Sequence, residues 1–193
     1  AETAPGSPAD LIHLFARAYQ RRDYARIEPL LSAAPGAAYL FLLNEPTPDG
    51  DTWWDRAEEL RIHRRMFEPE DIPPGDPPLD TELWLSAIDI ALTPRVAFAE
   101  VDSSFYDPPN PNGLDPDRWI AREAIYRTHV LFDVLGSLDY VVNGLADFIV
   151  LEDLTKRTGD PGKFLIYRWE DLGSDWKQAL APTTWGKIKS RYR

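Results

Sequence analysis

Residues 119–172 read WIAREAIYRTHVLFDVLGSLDYVVNGLADFIVLEDLTKRTGDPGKFLIYRWEDL. Alternating apolar and polar positions and dense β-branched and aromatic residues predict three successive strands, Trp119–Leu135, Leu138–Leu151 and Lys163–Leu172. The first two are long, and Gly136-Ser137 marks a tight turn between them. The segments before them carry helical signals and little strand. Helices followed by a meander of long antiparallel strands give an α+β fold, with a curved sheet wrapped around the helices.

Working outward, Ser7-Pro8-Ala9-Asp10 is a helix start, with Ser as N-cap and Pro at the first position. Leu11, Leu14, Phe15 and Ala18 follow on one face. Asp23 caps a second short helix carrying Ile27, Leu30 and Leu31, shortened by Pro29. Ala38–Leu43 reads as a short strand. Thr52-Trp53-Trp54-Asp55 reads as a capping box, opening a helix to about Phe67 with Trp53, Ala57, Leu60 and Phe67 on one face. Pro69–Pro78 is a connector, Leu79–Thr93 a strand, and Asp102–Asp117 a long loop. Residues 1–7 form a flexible lead-in, 8–172 one domain, and 173–193 a tail in which Thr183-Thr184-Trp185 opens a short basic helix.

A chain of 193 residues with 7 Trp, 8 Tyr and 8 Phe can build one sizeable core. Its net charge is −11: the last thirty residues carry +3 and the rest −14. An acidic body argues against nucleic acid and anionic lipid as partners. With no cysteine there is no disulfide, thiolate zinc site or cysteine nucleophile. No apolar run is long enough for membrane insertion. The opening Ala1-Glu2-Thr3-Ala4-Pro5-Gly6-Ser7-Pro8 reads as a processed end after signal-peptide removal or as a trimmed one. The first reading sets an expectation of export to the periplasm or beyond; the second leaves the cytoplasm open.

The element order, together with three motifs, resembles the nuclear transport factor 2-like superfamily, the cystatin-like cones that include the SnoaL-like proteins. Gly50-Asp51-Thr52-Trp53-Trp54 through Met66-Phe67 looks like its third helix. The run Tyr140–Val150, with Gly144, Ala146 and Phe148 on one face, looks like its penultimate strand. Gly162–Asp171, with Phe164, Ile166, Trp169 and Asp171, looks like its closing strand. The resemblance covers residues 8–172. It implies a cone with a pocket at its wide end and dimers through the outer sheet face. It does not imply one activity, because relatives include steroid isomerases, dehydratases, cyclases, epoxide hydrolases and non-catalytic binding or assembly domains.

Side chains alternate across a strand. On the first long strand the even set (Ile120, Arg122, Ala124, Tyr126, Thr128, Val130, Phe132, Val134) is the better core face. On the second, Tyr140, Val142, Gly144, Ala146, Phe148 and Val150 form a polar-free face. If these faces line the cone, no strand carboxylate is obviously placed there for proton abstraction. His129 and Asp133 share the opposite face. They read as an acid/base pair or as part of a solvated or dimer-packed face, and a separation of about 13 Å favours the latter. His63 reads as a general base at the cone mouth or as a satisfied helix histidine. Tyr19 and Tyr24 could donate to a substrate carbonyl, as the isomerase resemblance implies, or simply close the core. Asp89 is the remaining inward candidate. Asp102, Asp107, Asn110, Asn112, Asp115 and Asp117 offer oxygen ligands for calcium, but they fit no EF-hand spacing and suit turns equally. No phosphate loop, nucleophile elbow or zinc spacing is present, so neither metal nor cofactor is expected.

Two functions follow. The favoured one is a non-catalytic cone that binds a small apolar ligand or self-associates. Trp53, Tyr126, Phe132 and Phe148 would line the ligand space. Ile125, Leu131, Val141, Leu145, Ile149 and Leu151 would be covered by another subunit of a homo-oligomer. The alternative is a cofactor-free lyase, isomerase or hydrolase on a hydrophobic small molecule. His63, Asp89 and Tyr19 would carry its chemistry, and at least two of them must then converge.

Overall fold

In a computed structural model, the structure describes residues 4–72, 74–102, 105, 113–135, 140–173 and 184–193. Helix α1 (Pro8–Arg21) starts as the sequence dictates. Ser7 Oγ accepts from the Asp10 amide at 3.2 Å, and Leu11, Ile12, Phe15, Ala18 and Tyr19 are buried along one face. Asp23 caps the one-turn α2 (Tyr24–Ile27), its carboxylate accepting from the Arg26 amide. The hairpin β1 (Ala33–Ala34) and β2 (Ala37–Ala38) precedes β3 (Leu40–Leu42), β4 (Trp53–Asp55) and helix α3 (Arg56–Phe67).

Four long strands follow: β5 (Leu85–Glu100), β6 (Trp119–Val134), β7 (Tyr140–Asp153) and β8 (Phe164–Asp171). Together with β3 and β4 they make one curved six-stranded sheet in the order β4-β3-β8-β7-β6-β5. Every pairing is antiparallel except β3 with β8. The fold is therefore α+β, and the three strands read from residues 119–172 are all present. Gly136-Ser137 lies outside the described residues.

Two elements differ from expectation. Thr52 does not cap α3. The cap is Asp55, whose Oδ1 accepts from the Glu58 amide at 2.9 Å. Two overlapping cap signatures occur three residues apart, and Trp53–Asp55 is drawn into edge pairing with β3, which leaves only the second free to start a helix. Strand alternation then turns Trp54 inward and leaves Trp53 54% exposed. The strand expected over Leu79–Thr93 instead runs over Leu85–Glu100. Asp80 caps a 3₁₀ turn at Thr81–Leu83, and Pro94 is tolerated because β5 is an edge strand with a register shift there. In the 102–117 loop, Asp107, Asn110 and Asn112 lie outside the described residues. Asp115 accepts from the Asp117 amide at 3.0 Å, a local turn bond, and no cluster of metal-binding side chains occurs among the described residues.

The main core lies between the helices and the inner sheet face and includes Phe15, Tyr19, Phe41, Trp54, Phe132, Phe148 and Trp169. A second core covers part of the outer face, where Ala37, Leu114, Trp119, Ala121 and Tyr167 pack with Ile149 and Leu151. The tail expected to be a basic helix is α4 (Trp185–Lys189), capped by Thr184 through a 3.3 Å bond from the Lys187 amide; Thr183 lies outside the described residues. It does not rest on the surface. Trp185, Ile188, Lys189 and Tyr192 are buried in the main core of the same chain. Asp171 pins its first turn by accepting from the Gly186 amide at 2.9 Å, Tyr192 donates to the Leu83 carbonyl at 2.8 Å, and Arg193 pairs with Glu58 at 2.7 Å. Among the described residues, no helix is long and apolar enough to cross a membrane.

Candidate functional site

Inside the cone, α3 presents Glu59 and His63 one turn apart on its inward face. Both are fully buried. Helix α1 brings the Tyr19 hydroxyl into a hydrogen bond with His63 Nε2. The Glu59 carboxylate accepts from Trp54 Nε1 at 2.5 Å and from the Tyr39 hydroxyl at 3.2 Å, and lies 3.6 Å from His63 Nε2. Its remaining partner is the Lys189 ammonium, delivered by α4. That ammonium stands 3.9 Å from the Phe41 ring centroid and 3.9 Å from that of Trp169.

Burial sets the protonation states, and the neighbouring charges modify them. Burial pushes the Glu59 carboxyl up, but the Lys189 ammonium, His63 and the donors around it hold it below its ordinary value. Burial brings the Lys189 amine down to about 8 against the pull of Glu59, so it stays charged at neutral pH. Burial, helped by the Lys189 charge, drops His63 to about 4 despite Glu59, leaving a neutral imidazole. Tyr19 and Tyr39 are raised well above their ordinary value by burial and by the Glu59 charge. At neutral pH the cluster is an ion pair beside a neutral imidazole–phenol pair. Chemically it could hold a cation, or relay a proton between phenol and imidazole.

Tyr19 and His63 are thus brought together, whereas Asp89 is not part of the cluster. Asp89 is exposed on β5, opposite Leu131 of β6. Tyr24 is half-buried at the start of α2. Tyr126, Phe132 and Phe148 do face the cone, but against the protein's own rings. Phe148 stacks on Trp169 at 5.3 Å, and Tyr126 packs edge-on to Phe148 at 5.7 Å. Phe132 meets Trp185 at 5.7 Å. Trp53 faces solvent beside a surface hollow of about 500 Å³ lined by Asp51, Asp55, Glu58 and Arg193. His129 bonds Asn143 across the strand pair at 2.6 Å rather than Asp133.

The proposed interface residues divide. Ile149 and Leu151 are sealed by the chain's own second core and offer nothing to a partner. Val141 is 42% exposed, and Ile125, Leu131 and Leu145 are half-buried.

Glu59, Lys189, Tyr39 and Trp54 are the site residues that sequence reasoning missed. A signal existed for two of them. Glu59 precedes His63 by one turn, and Lys189 is flanked by Trp185, Ile188 and Tyr192 at helical spacing.

No protein-family model and no curated protein matches this chain. Solved structures do. A candidate aromatic ring hydroxylase of Novosphingobium aromaticivorans is similar over 96% of this chain and 93% of its own, at 14% identity and TM-score 0.50. A nuclear transport factor 2-like superfamily protein of Salmonella enterica is similar over 90% and 93%, at 12% identity and TM-score 0.50. The beta subunit of benzoate 1,2-dioxygenase of Burkholderia mallei is similar over 88% and 91%, at 10% identity and TM-score 0.50. With helices packed into a curved sheet in the element order expected from the sequence, the chain has the nuclear transport factor 2-like fold.

Proposed function

We propose that this protein is a non-catalytic cone domain that acts by self-association through the uncovered part of its outer sheet face. One observation carries the reading: inside the cone, between the helices and the inner sheet face, the Lys189 ammonium packs against the rings of Phe41, Trp169 and Trp185. The protonation states agree with it, since a general base works best with a pKa near the operating pH and His63 lies at about 4. Ile125, Leu131, Val141 and Leu145 make a partly apolar strip suited to a second copy. The beta subunit of a dioxygenase is an instance of this fold serving as a subunit. Light scattering at micromolar concentration should give a dimer or larger, and Val141→Glu should lower the mass without changing the circular dichroism. A strictly monomeric parent would overturn the reading.

A second reading rests on the Tyr19–His63 hydrogen bond. With Glu59 beside them, the pair is an acid/base set for a hydrophobic substrate once Lys189 is withdrawn. NMR titration of His63 separates the two. A midpoint near the ordinary histidine value supports the enzyme, and one near 4 leaves it without a base at neutral pH.

A further inference from the structure

The Lys189 ammonium has the surroundings of a bound ligand rather than of a surface lysine. Two ring faces approach it at 3.9 Å, and the ring of Trp185 stands at 5.9 Å. All three lie within the distance at which a ring quadrupole attracts a cation. A fully buried carboxylate accepts a hydrogen bond from it. Phe41 belongs to β3, Trp169 to β8 and Glu59 to α3, whereas Lys189 arrives 130 positions after Glu59 on a separate short helix.

The cone orients this site without the lysine. Trp54 Nε1 and the Tyr39 hydroxyl both donate to Glu59, so its carboxylate is fixed from the α3 and sheet side. Phe41 is itself backed by Trp54, stacked at 4.8 Å and 15°, and Trp169 by Phe148 at 5.3 Å and 30°. The rings of Phe41 and Trp169, which meet edge to face at 5.1 Å and 85°, form a corner closed by one carboxylate, and that corner suits a compact ammonium with hydrogens to donate. A planar guanidinium would need a second acceptor in its fork, and a neutral alcohol would leave the carboxylate charge uncompensated.

We infer that Glu59, Phe41 and Trp169 form a binding site for a primary alkylammonium group, occupied in this chain by the side chain of Lys189. The inference goes beyond self-association and does not depend on it, since the two concern opposite faces of the sheet.

The test uses the full chain with Lys189→Ala and supplies the missing Cγ-to-Nζ segment as n-propylammonium, with n-propanol as the uncharged analogue of the same length. The amine should raise the melting temperature of the variant by several degrees, with an apparent affinity at least about tenfold tighter than that of n-propanol. It should leave the parent unchanged, because there the site is filled. Adding Glu59→Gln should erase the difference between amine and alcohol. If Lys189→Ala does not fold alone, recovery of its circular dichroism by n-propylammonium but not by n-propanol is the same positive result. Equal effects of amine and alcohol, or no effect of the amine on the variant, folded or unfolded, would overturn the proposal. The mass of the parent in solution, which tests self-association, is read separately and is unaffected by either result.

Discussion

At the scale of single residues, the buried cluster makes stability depend on pH in a definite direction. His63 has a folded pKa of about 4 against an ordinary value of 6.5. As pH falls, the unfolded chain takes up this proton first, so stability present above pH 6.5 is lost on the way down to about 4. The full loss is about 3 kcal/mol. In His63→Gln that contribution should vanish, and urea titrations at pH 7 and pH 5 should differ less for the variant than for the parent. Glu59→Gln should cost about 3–5 kcal/mol, because it strands the Lys189 ammonium in the core. Glu59→Gln with Lys189→Met should recover much of that loss, since breaking a buried pair is costlier than replacing it whole. Chemical denaturation of the two variants compares these outcomes. Tyr19 and His63 were legible because helical spacing puts both on or beside apolar faces. Glu59 and Lys189 carry only a spacing signal, which does not outweigh the rule that a charged residue is by default solvated and needs, to be buried, a partner that only the tertiary fold supplies.

At the scale of elements, local chemistry fixed which helices and strands form, and pairing fixed where they begin. Thr52 and Asp55 both carry cap signatures in the sequence. The edge pairing of Trp53–Asp55 with β3 decides between them. Asp55→Ala should therefore destabilise by about 1 kcal/mol, while Thr52→Ala should stay within about 0.5 kcal/mol. Urea midpoints would show the difference. Pro94 stopped the reading of β5 too early, because a proline excludes a central strand and the sequence does not say which strand is at the edge. Gly144 shows the converse, a requirement invisible until the chain is folded. A Cβ there would come 2.5 Å from the Gly173 carbonyl oxygen, which accepts from the Leu145 amide at 3.0 Å as the chain leaves β8.

At the scale of the whole molecule, the alternation along β6 and β7 sorted the inner face correctly, and Tyr126, Phe132 and Phe148 do point inward. The outer face was only partly legible. Its apolar residues called for cover, but cover from a partner and cover from the chain's own loops leave the same pattern in a strand. Leu114, Phe105 and the β1–β2 hairpin supply it for Ile149 and Leu151. Ile149→Ala should thus cost about 2–4 kcal/mol at any protein concentration, and Val141→Ala should cost under about 0.5 kcal/mol in the monomer. Thermal melts over a range of concentrations would test both.

The union of Glu59 with a lysine 130 positions later has a kinetic consequence. Contacts so distant in sequence close large loops, and α3 can form from its neighbours well before α4 docks. Until then the Glu59 carboxylate must stay hydrated or protonated, so the polar heart of the cone is completed on the native side of the folding barrier. Lys189→Ala should refold in stopped-flow tryptophan fluorescence at nearly the parent rate and unfold faster, the signature of an interaction absent from the transition state.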